Sequence, residues 1–328
     1  PTTDSVWRAK VLAALGDATI DDIEAARDAA DAARDSLADA TRLLDMLVLA
    51  RAGLAELDPL MLTDESAVAR HHATAEAQEH LSALEPLHFP LAFPEVFAGN
   101  HPGFDCLLGN PPWETIKAEP QKWWAARYPG LMGLRTGDMN RRIDQLTLEQ
   151  PDLAAEYDRF KETMDLHRVV LTSHGYPGIG SGDPDLAEYF AWRLWSLMGL
   201  GGWVGVVLPR SLLMSAGTDG WRLAVLEGGN LASVTTFVNR AGWVFDDVTE
   251  QYRIALIAIS RTGTPDDIVE VRGPFTSWNH YQTGIDRPAP AINVQDLVRW
   301  TPGAALPQIP SEVAFSVYLK MRSHPWWS

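Results

Sequence analysis

Phe104-Asp105-Cys106-Leu107-Leu108-Gly109-Asn110-Pro111-Pro112-Trp113 is an apolar, strand-compatible run that stops at Gly-Asn-Pro-Pro and is followed by an aromatic residue. A buried strand whose carboxyl end opens into a rigid turn is where open α/β sheets place their chemistry. The two prolines fix φ, remove two N–H donors and hold the turn extended. Carbonyls and the Asn110 amide are thereby presented outward beside the flat indole of Trp113. The stretch predicts a buried strand over residues 104–109, with Cys106 inside it as a small hydrophobe. As the single cysteine of the chain, Cys106 leaves no possibility of an internal disulfide.

Such a turn suits an exocyclic amino group on an extruded nucleobase. Adenine N6 carries two N–H donors and a lone pair delocalised into the ring. Accepting both hydrogens, one on the Asn110 side-chain oxygen and one on a proline carbonyl, localises that lone pair for attack on a methyl sulfonium. Trp113 supplies a π-face for the base. Asn-Pro-Pro is also ordinary turn chemistry, so the weight of the motif comes from its surroundings.

Composition sets the outer bounds. The 328 residues suffice for two domains, or for one large domain with additions, and 46% apolar residues support a real core. No run approaches the ~18 to 20 apolar residues of a membrane span. The start, Pro1-Thr2-Thr3-Asp4, has neither the basic nor the apolar region of a signal peptide, so a cytoplasmic location is expected. Net charge is −16, against the basic footprint usual in DNA binders. That charge is concentrated: residues 1–85 hold 17 acidic and 7 basic side chains, ten of the sixteen excess charges. An acidic helical segment facing solvent, away from any nucleic acid, is the expectation.

Upstream of the motif, residues 19–52 predict one long helix. Thr19 and Asp22 form a capping box, Ile23, Ala26, Ala30, Ala33, Leu37, Leu44 and Leu47 recur at helical spacing, and Gly53 is the stop. A second helix is predicted over residues 64–84. Its His71, His72 and His80 do not converge as metal ligands would, because adjacent residues face different sides of a helix.

Downstream, a polar and mostly helical insertion runs to about Arg168. Gly175 to Gly182 is glycine-rich but lacks a Gly-Lys-Ser/Thr ending, so it reads as a loop and not as a phosphate cradle. A helix over 183–198 precedes Gly201-Gly202 and a strand over 203–209, and Ser211-Leu212-Leu213 opens the next turn. Then come a helix over 220–227 and strands over 232–238 and 252–260, with the aromatic segment Trp243–Val248 between those strands.

Two runs join the central motif to carry a resemblance. One is His88-Phe89-Pro90-Leu91-Ala92-Phe93-Pro94-Glu95-Val96-Phe97; the other is Gly103-Phe104-Asp105, leading into Gly109-Asn110-Pro111-Pro112-Trp113. Their sequence and spacing resemble large N6-adenine DNA methyltransferases of type IIG restriction–modification and of related BREX/DISARM-like phage-defence systems. Trp113-Glu114-Thr115-Ile116-Lys117 and Trp123-Trp124 through Pro129 are similar to the same family's segment after the motif. The likeness covers residues 88–262. It departs at Asp183-Pro184-Asp185-Leu186-Ala187, where the family has Asn-x-Tyr after Gly-Asp.

The resemblance implies an α/β fold: the second half of a Rossmann-like class I methyltransferase sheet, with an N-terminal helical insertion. It implies three segments: an acidic helical segment (1–87), the catalytic half of the methyltransferase domain (88–262), and a linker with the start of a target-recognition region (263–328). It implies S-adenosylmethionine as cofactor and double-stranded DNA with a flipped adenine as substrate. Asn110 and the Pro111 carbonyl would take the N6 hydrogens. Trp113 and Phe245 would stack on the base, and Pro112 and Phe190 would lie near the cofactor. Residues 1–87 contain no strand with Gly-x-Gly. The cofactor-binding first half of the sheet is therefore expected on a missing N-terminal half of the same protein, and the chain alone is expected to be inactive. Two other readings compete: a protein glutamine N5 methyltransferase, which also uses Asn-Pro-Pro-Tyr, and an inactive DNA-binding or scaffold fragment.

Overall fold

The computed structural model describes residues 19–58, 64–173, 175–177, 179, 185–246, 248, 250, 252–262, 268–307 and 312–322. Half of the glycine-rich loop (residues 178 and 180–182), Asp183, Pro184, and the terminal Trp326 and Trp327 lie outside the described residues. The chain forms two compact units: residues 1–98 with 116–175, and residues 99–115 with 176–328. The acidic N-terminal segment and the later insertion thus belong to one unit. No helix among the described residues is long and apolar enough to cross a membrane.

The first unit is helical. Helix α1 (Ile20–Arg51) starts at the expected capping box: the Asp22 amide donates to Thr19 Oγ1, and the Thr19 amide donates to Asp22 Oδ2. Gly53, just past its end, has φ +72°, a left-handed conformation that glycine adopts without a Cβ penalty. The helix predicted over 64–84 is in fact two helices, α2 (Glu65–His72) and α3 (Ala75–Leu84). The break has a local cause: Thr74 is extended and caps α3, its Oγ1 accepting from the Ala77 amide. Met46, Leu49, Val68, Ala77 and Leu81 form the core joining α1 to α2 and α3. A second core collects Trp123 and Trp124 of α4 (Pro120–Arg127) with Ile143 and Leu146 of α5 (Thr136–Glu149). Tyr157 of α6 (Pro151–Thr172) packs against it.

Asp45 on α1 ties this unit together. Its carboxylate accepts from His72 Nε2 at 2.9 Å and His88 Nε2 at 2.8 Å. Burial raises the pKa of Asp45, but the hydrogen bonds from His88 and then His72 outweigh that effect and hold it below the ordinary carboxylate value. Among the described residues no group of three or more His, Cys, Asp or Glu side chains is arranged to hold a metal ion.

The second unit is a six-stranded mixed sheet in the order β1-β2-β4-β3-β5-β6. Strand β1 (Phe104–Gly109) runs parallel to β2 (Met198–Pro209). Strand β4 (Arg253–Ser260) lies antiparallel between β2 and β3 (Asn230–Val238). Strand β5 (Ile268–Phe275) continues parallel to β3, and the short β6 (Ala291–Asn293) closes the far edge antiparallel. Part of the stretch expected as linker is therefore sheet. β2 also begins five residues earlier than its apolar run suggested. Gly103 (φ +118°) approaches Gly199 so closely that a Cβ would fall 2.4 Å from its amide nitrogen, which lets the two chains run together there.

Helices α7 (Leu186–Leu197) and α8 (Asp219–Gly228) cover one face of the sheet. Ala191, Trp195, Trp221 and Val225 pack on Val204, Val206, Ala255, Ile257 and Val234. The register places Leu108, Trp203 and Leu256 on the opposite face, where they are 80%, 48% and 45% exposed. This corrects the buried-strand reading of residues 104–109. β1 has one strand neighbour and one covered face, so only Leu107 faces the core, and Cys106 is exposed. An apolar run by itself does not tell an edge strand from a central one.

Candidate active site

The motif turn leaves the carboxyl end of β1 and runs along β2. The Trp113 Nε1–H donates to the Val207 carbonyl at 3.3 Å, which orients the indole. Beyond it, Thr115 pairs with Asp185: the Leu186 amide donates to the Glu114 carbonyl at 2.9 Å and Thr115 Oγ1 to Asp185 Oδ1 at 3.0 Å. The turn is thus fixed at both ends, to the sheet and to the start of α7.

A cleft of about 460 Å³ opens over this turn, lined by Asn110, Pro111, Pro112, Trp113, Phe245 and Val248. That size lies within the range of small-molecule pockets, roughly 300–1,000 Å³. Its lining is mainly apolar and aromatic, with the amide of Asn110 as the polar side chain. Asn110 is exposed and its side chain makes no hydrogen bond to another described residue, so its oxygen is available to a ligand.

Five of the six expected site residues therefore meet in one place: Asn110, Pro111, Pro112, Trp113 and Phe245. Phe190 does not line the cleft; it sits on α7, 38% exposed. The rings have a definite arrangement. Trp113 stacks on Tyr252, with centroids 5.9 Å and planes 24° apart, and meets Phe245 edge-on at 6.3 Å and 84°. A base lying parallel to Trp113 would therefore stand perpendicular to Phe245, and the two rings do not form a parallel clamp here. Tyr252 and Val248 carried no sequence signal, because their place depends on how the segment between β3 and β4 folds back.

Positive charge lies at the same end of the sheet. Arg210 follows Pro209, whose β4 partner Ile254 adjoins Arg253. Arg210 is buried, and its pKa is lowered first by that burial and then by the charge of Arg253.

No family model matches the chain, and no curated protein matches it. Solved structures do show a partial likeness. One is the modification subunit of a putative type I restriction enzyme from Vibrio vulnificus YJ016, at 14% identity and TM-score 0.31, covering 44% of this chain and 34% of that one. Another comes from a study of complex assembly and conformational transition of the type I R-M system, at 14% identity and TM-score 0.31, covering 47% of this chain and 38% of that one. The chain spans little over a third of either, and a likeness of this extent carries no weight for the chemistry.

Proposed function

We propose that this chain is the catalytic and base-binding part of an adenine N6 DNA methyltransferase from a restriction–modification or phage-defence system. One observation carries the reading: Asn110-Pro111-Pro112-Trp113 emerges from a parallel strand and lines a cleft with Phe245 and Val248. An exocyclic amino group entering that cleft would give its hydrogens to the Asn110 oxygen and the Pro111 carbonyl. Both acceptors gain strength as the nitrogen becomes positive, so their stabilisation falls on the reaction step. Trp113 would stack on the base with the face turned away from Tyr252.

In this reading S-adenosylmethionine supplies the electrophilic methyl group. The described residues do not by themselves make a seat for it. Among the described residues of 99–115 and 185–262 there is no glycine-rich strand–loop–helix, and of the two residues expected near the cofactor only Pro112 lines the cleft. We place that seat on a further segment of the same protein.

The test is chemical. The intact protein is incubated with S-adenosylmethionine labelled in its methyl group and a duplex of mixed sequence, and the DNA is digested to nucleosides. Label in N6-methyl-2′-deoxyadenosine is the expected result. Label in a methylated deoxycytidine, or no label in the DNA nucleosides, overturns the reading.

A further inference from the structure

The far wall of the cleft, Phe245 and Val248, lies between β3 and β4, after the short 3-10 helix Arg240–Gly242, where the described residues 243–246, 248 and 250 form neither helix nor strand. Backbone groups in such a segment need partners from elsewhere. Here one side chain supplies four of them. Asn239 is fully buried. Its Oδ1 accepts from the amides of Val244 and Phe245, both at 3.0 Å. Its Nδ2 donates to the carbonyls of Phe245 at 2.8 Å and Val248 at 2.9 Å. Both N–H donors and both oxygen lone pairs of the carboxamide are used. Exchanging oxygen and nitrogen would set like groups against each other, so the orientation is unambiguous. The backbone amide of Asn239 in turn donates to the carbonyl of Tyr252 at 3.1 Å, and Tyr252 is the ring stacked on Trp113.

We propose that Asn239 is a positioning residue for the flipped base: its carboxamide sets where Phe245 and Val248 stand opposite Asn110 and Trp113. The proposal rests on the methyltransferase reading for what occupies the cleft, and on geometry alone for how the wall is held. Asn239 does not reach the reacting atoms. Its loss therefore acts on capture of the base, whereas loss of Asn110 acts on the rate of transfer.

Asn239→Asp is the informative substitution in the intact protein. It keeps the shape but turns an oxygen toward the carbonyls of Phe245 and Val248, leaving the Val248 carbonyl without its donor and the Phe245 carbonyl with only the Val248 amide, at 3.4 Å. The expected result is a rise of about tenfold in KM for an adenine-containing duplex, on the scale of a buried polar group losing its partner. The kcat should change far less, and the fluorescence of 2-aminopurine at the target position, which reports extrusion, should fall. Asn110→Ala should give the reverse split. Unchanged KM and fluorescence in Asn239→Asp overturn the proposal, as does a loss confined to kcat. Amide hydrogen exchange of the wild-type protein without DNA tests the same hold even if the variant does not fold. The Val244 and Phe245 amides should exchange at least tenfold more slowly than exposed loop amides; free exchange at both contradicts the proposal. That measurement involves no methyl transfer, so it separates failure of the Asn239 proposal from failure of the methyltransferase reading.

Discussion

Trp113 rests with one face on Tyr252, their rings 5.9 Å apart, and its Nε1–H is held by the Val207 carbonyl. A Trp pinned in this way has lost its rotational freedom before any ligand arrives, so a base stacking on it pays less to order the site. Aromatic pairs of this kind contribute about 0.5–1.5 kcal/mol beyond their buried area. Tyr252→Ala should therefore weaken binding of a duplex with an extrudable adenine by about that amount. Tyr252→Phe should leave it unchanged, because the ring and not the hydroxyl makes the contact. Equilibrium binding of the intact protein and both variants, measured side by side, decides this.

Trp113 itself carries more. Trp113→Ala removes the stacking face, and loss of one base-stacking aromatic costs about 1–3 kcal/mol. Base extrusion, read by 2-aminopurine fluorescence, and methylation rate should fall together. Trp113→Phe or Tyr should recover most of the loss, since either supplies a π-face. A variant that loses rate with full extrusion would place Trp113 outside the base-binding role.

Cys106 gives a test of the sheet. On an edge strand with an open face, its thiol is exposed. The native 328-residue chain should react with one equivalent of a thiol reagent such as Ellman's without denaturant. Reaction only after unfolding would mean that β1 is covered, as the sequence alone suggested.

Asp45 links pH to the stability of the helical unit. Its folded pKa lies below the unfolded value, so its contribution is fully present above the ordinary carboxylate value, about 3.9. That contribution is lost as pH falls from there through the depressed folded pKa. Asp45→Asn keeps the shape but gives up charge-assisted bonds to His72 and His88, at a cost of roughly 1.5–3 kcal/mol at neutral pH. Thermal unfolding of both proteins at pH 7 and near pH 3 should show the difference shrinking at the lower pH. A constant difference would contradict the link.

The legible parts of the chain were those with local causes. Thr19 and Asp22 marked the start of α1, Gly53 its end, and the prolines after Gly109 marked where β1 stops. The order helix, strand, helix, strand, aromatic segment, strand between residues 186 and 260 also followed from local pattern, although Gly201-Gly202, expected to separate the first helix from its strand, lies inside β2. What depended on distant partners could not be read. Asp45 meets His88 across 43 residues, and nothing in the spacing of either residue marks the pair. β5 contains Gly273-Pro274, which reads as loop punctuation, yet the strand is held by pairing with β3. Asn239 looks like any turn asparagine until the loop carrying Phe245 folds back onto its amide. The motif turn was legible in sequence, but the wall facing it was not.

The central claim is that the Asn110 oxygen stabilises the amino nitrogen of adenine as it gains positive charge. Single-turnover methyl transfer by Asn110→Ala in the intact protein, with 2-aminopurine fluorescence followed in parallel, tests it most directly. If the loss matches that of a preorganised polar group in a catalytic hole, about 2.7–4 kcal/mol, the rate should fall by roughly 10²–10³-fold, while extrusion of the base is retained. An Asn110→Ala variant that methylates adenine at the wild-type rate would contradict the account and leave residues 104–113 as a strand and a turn.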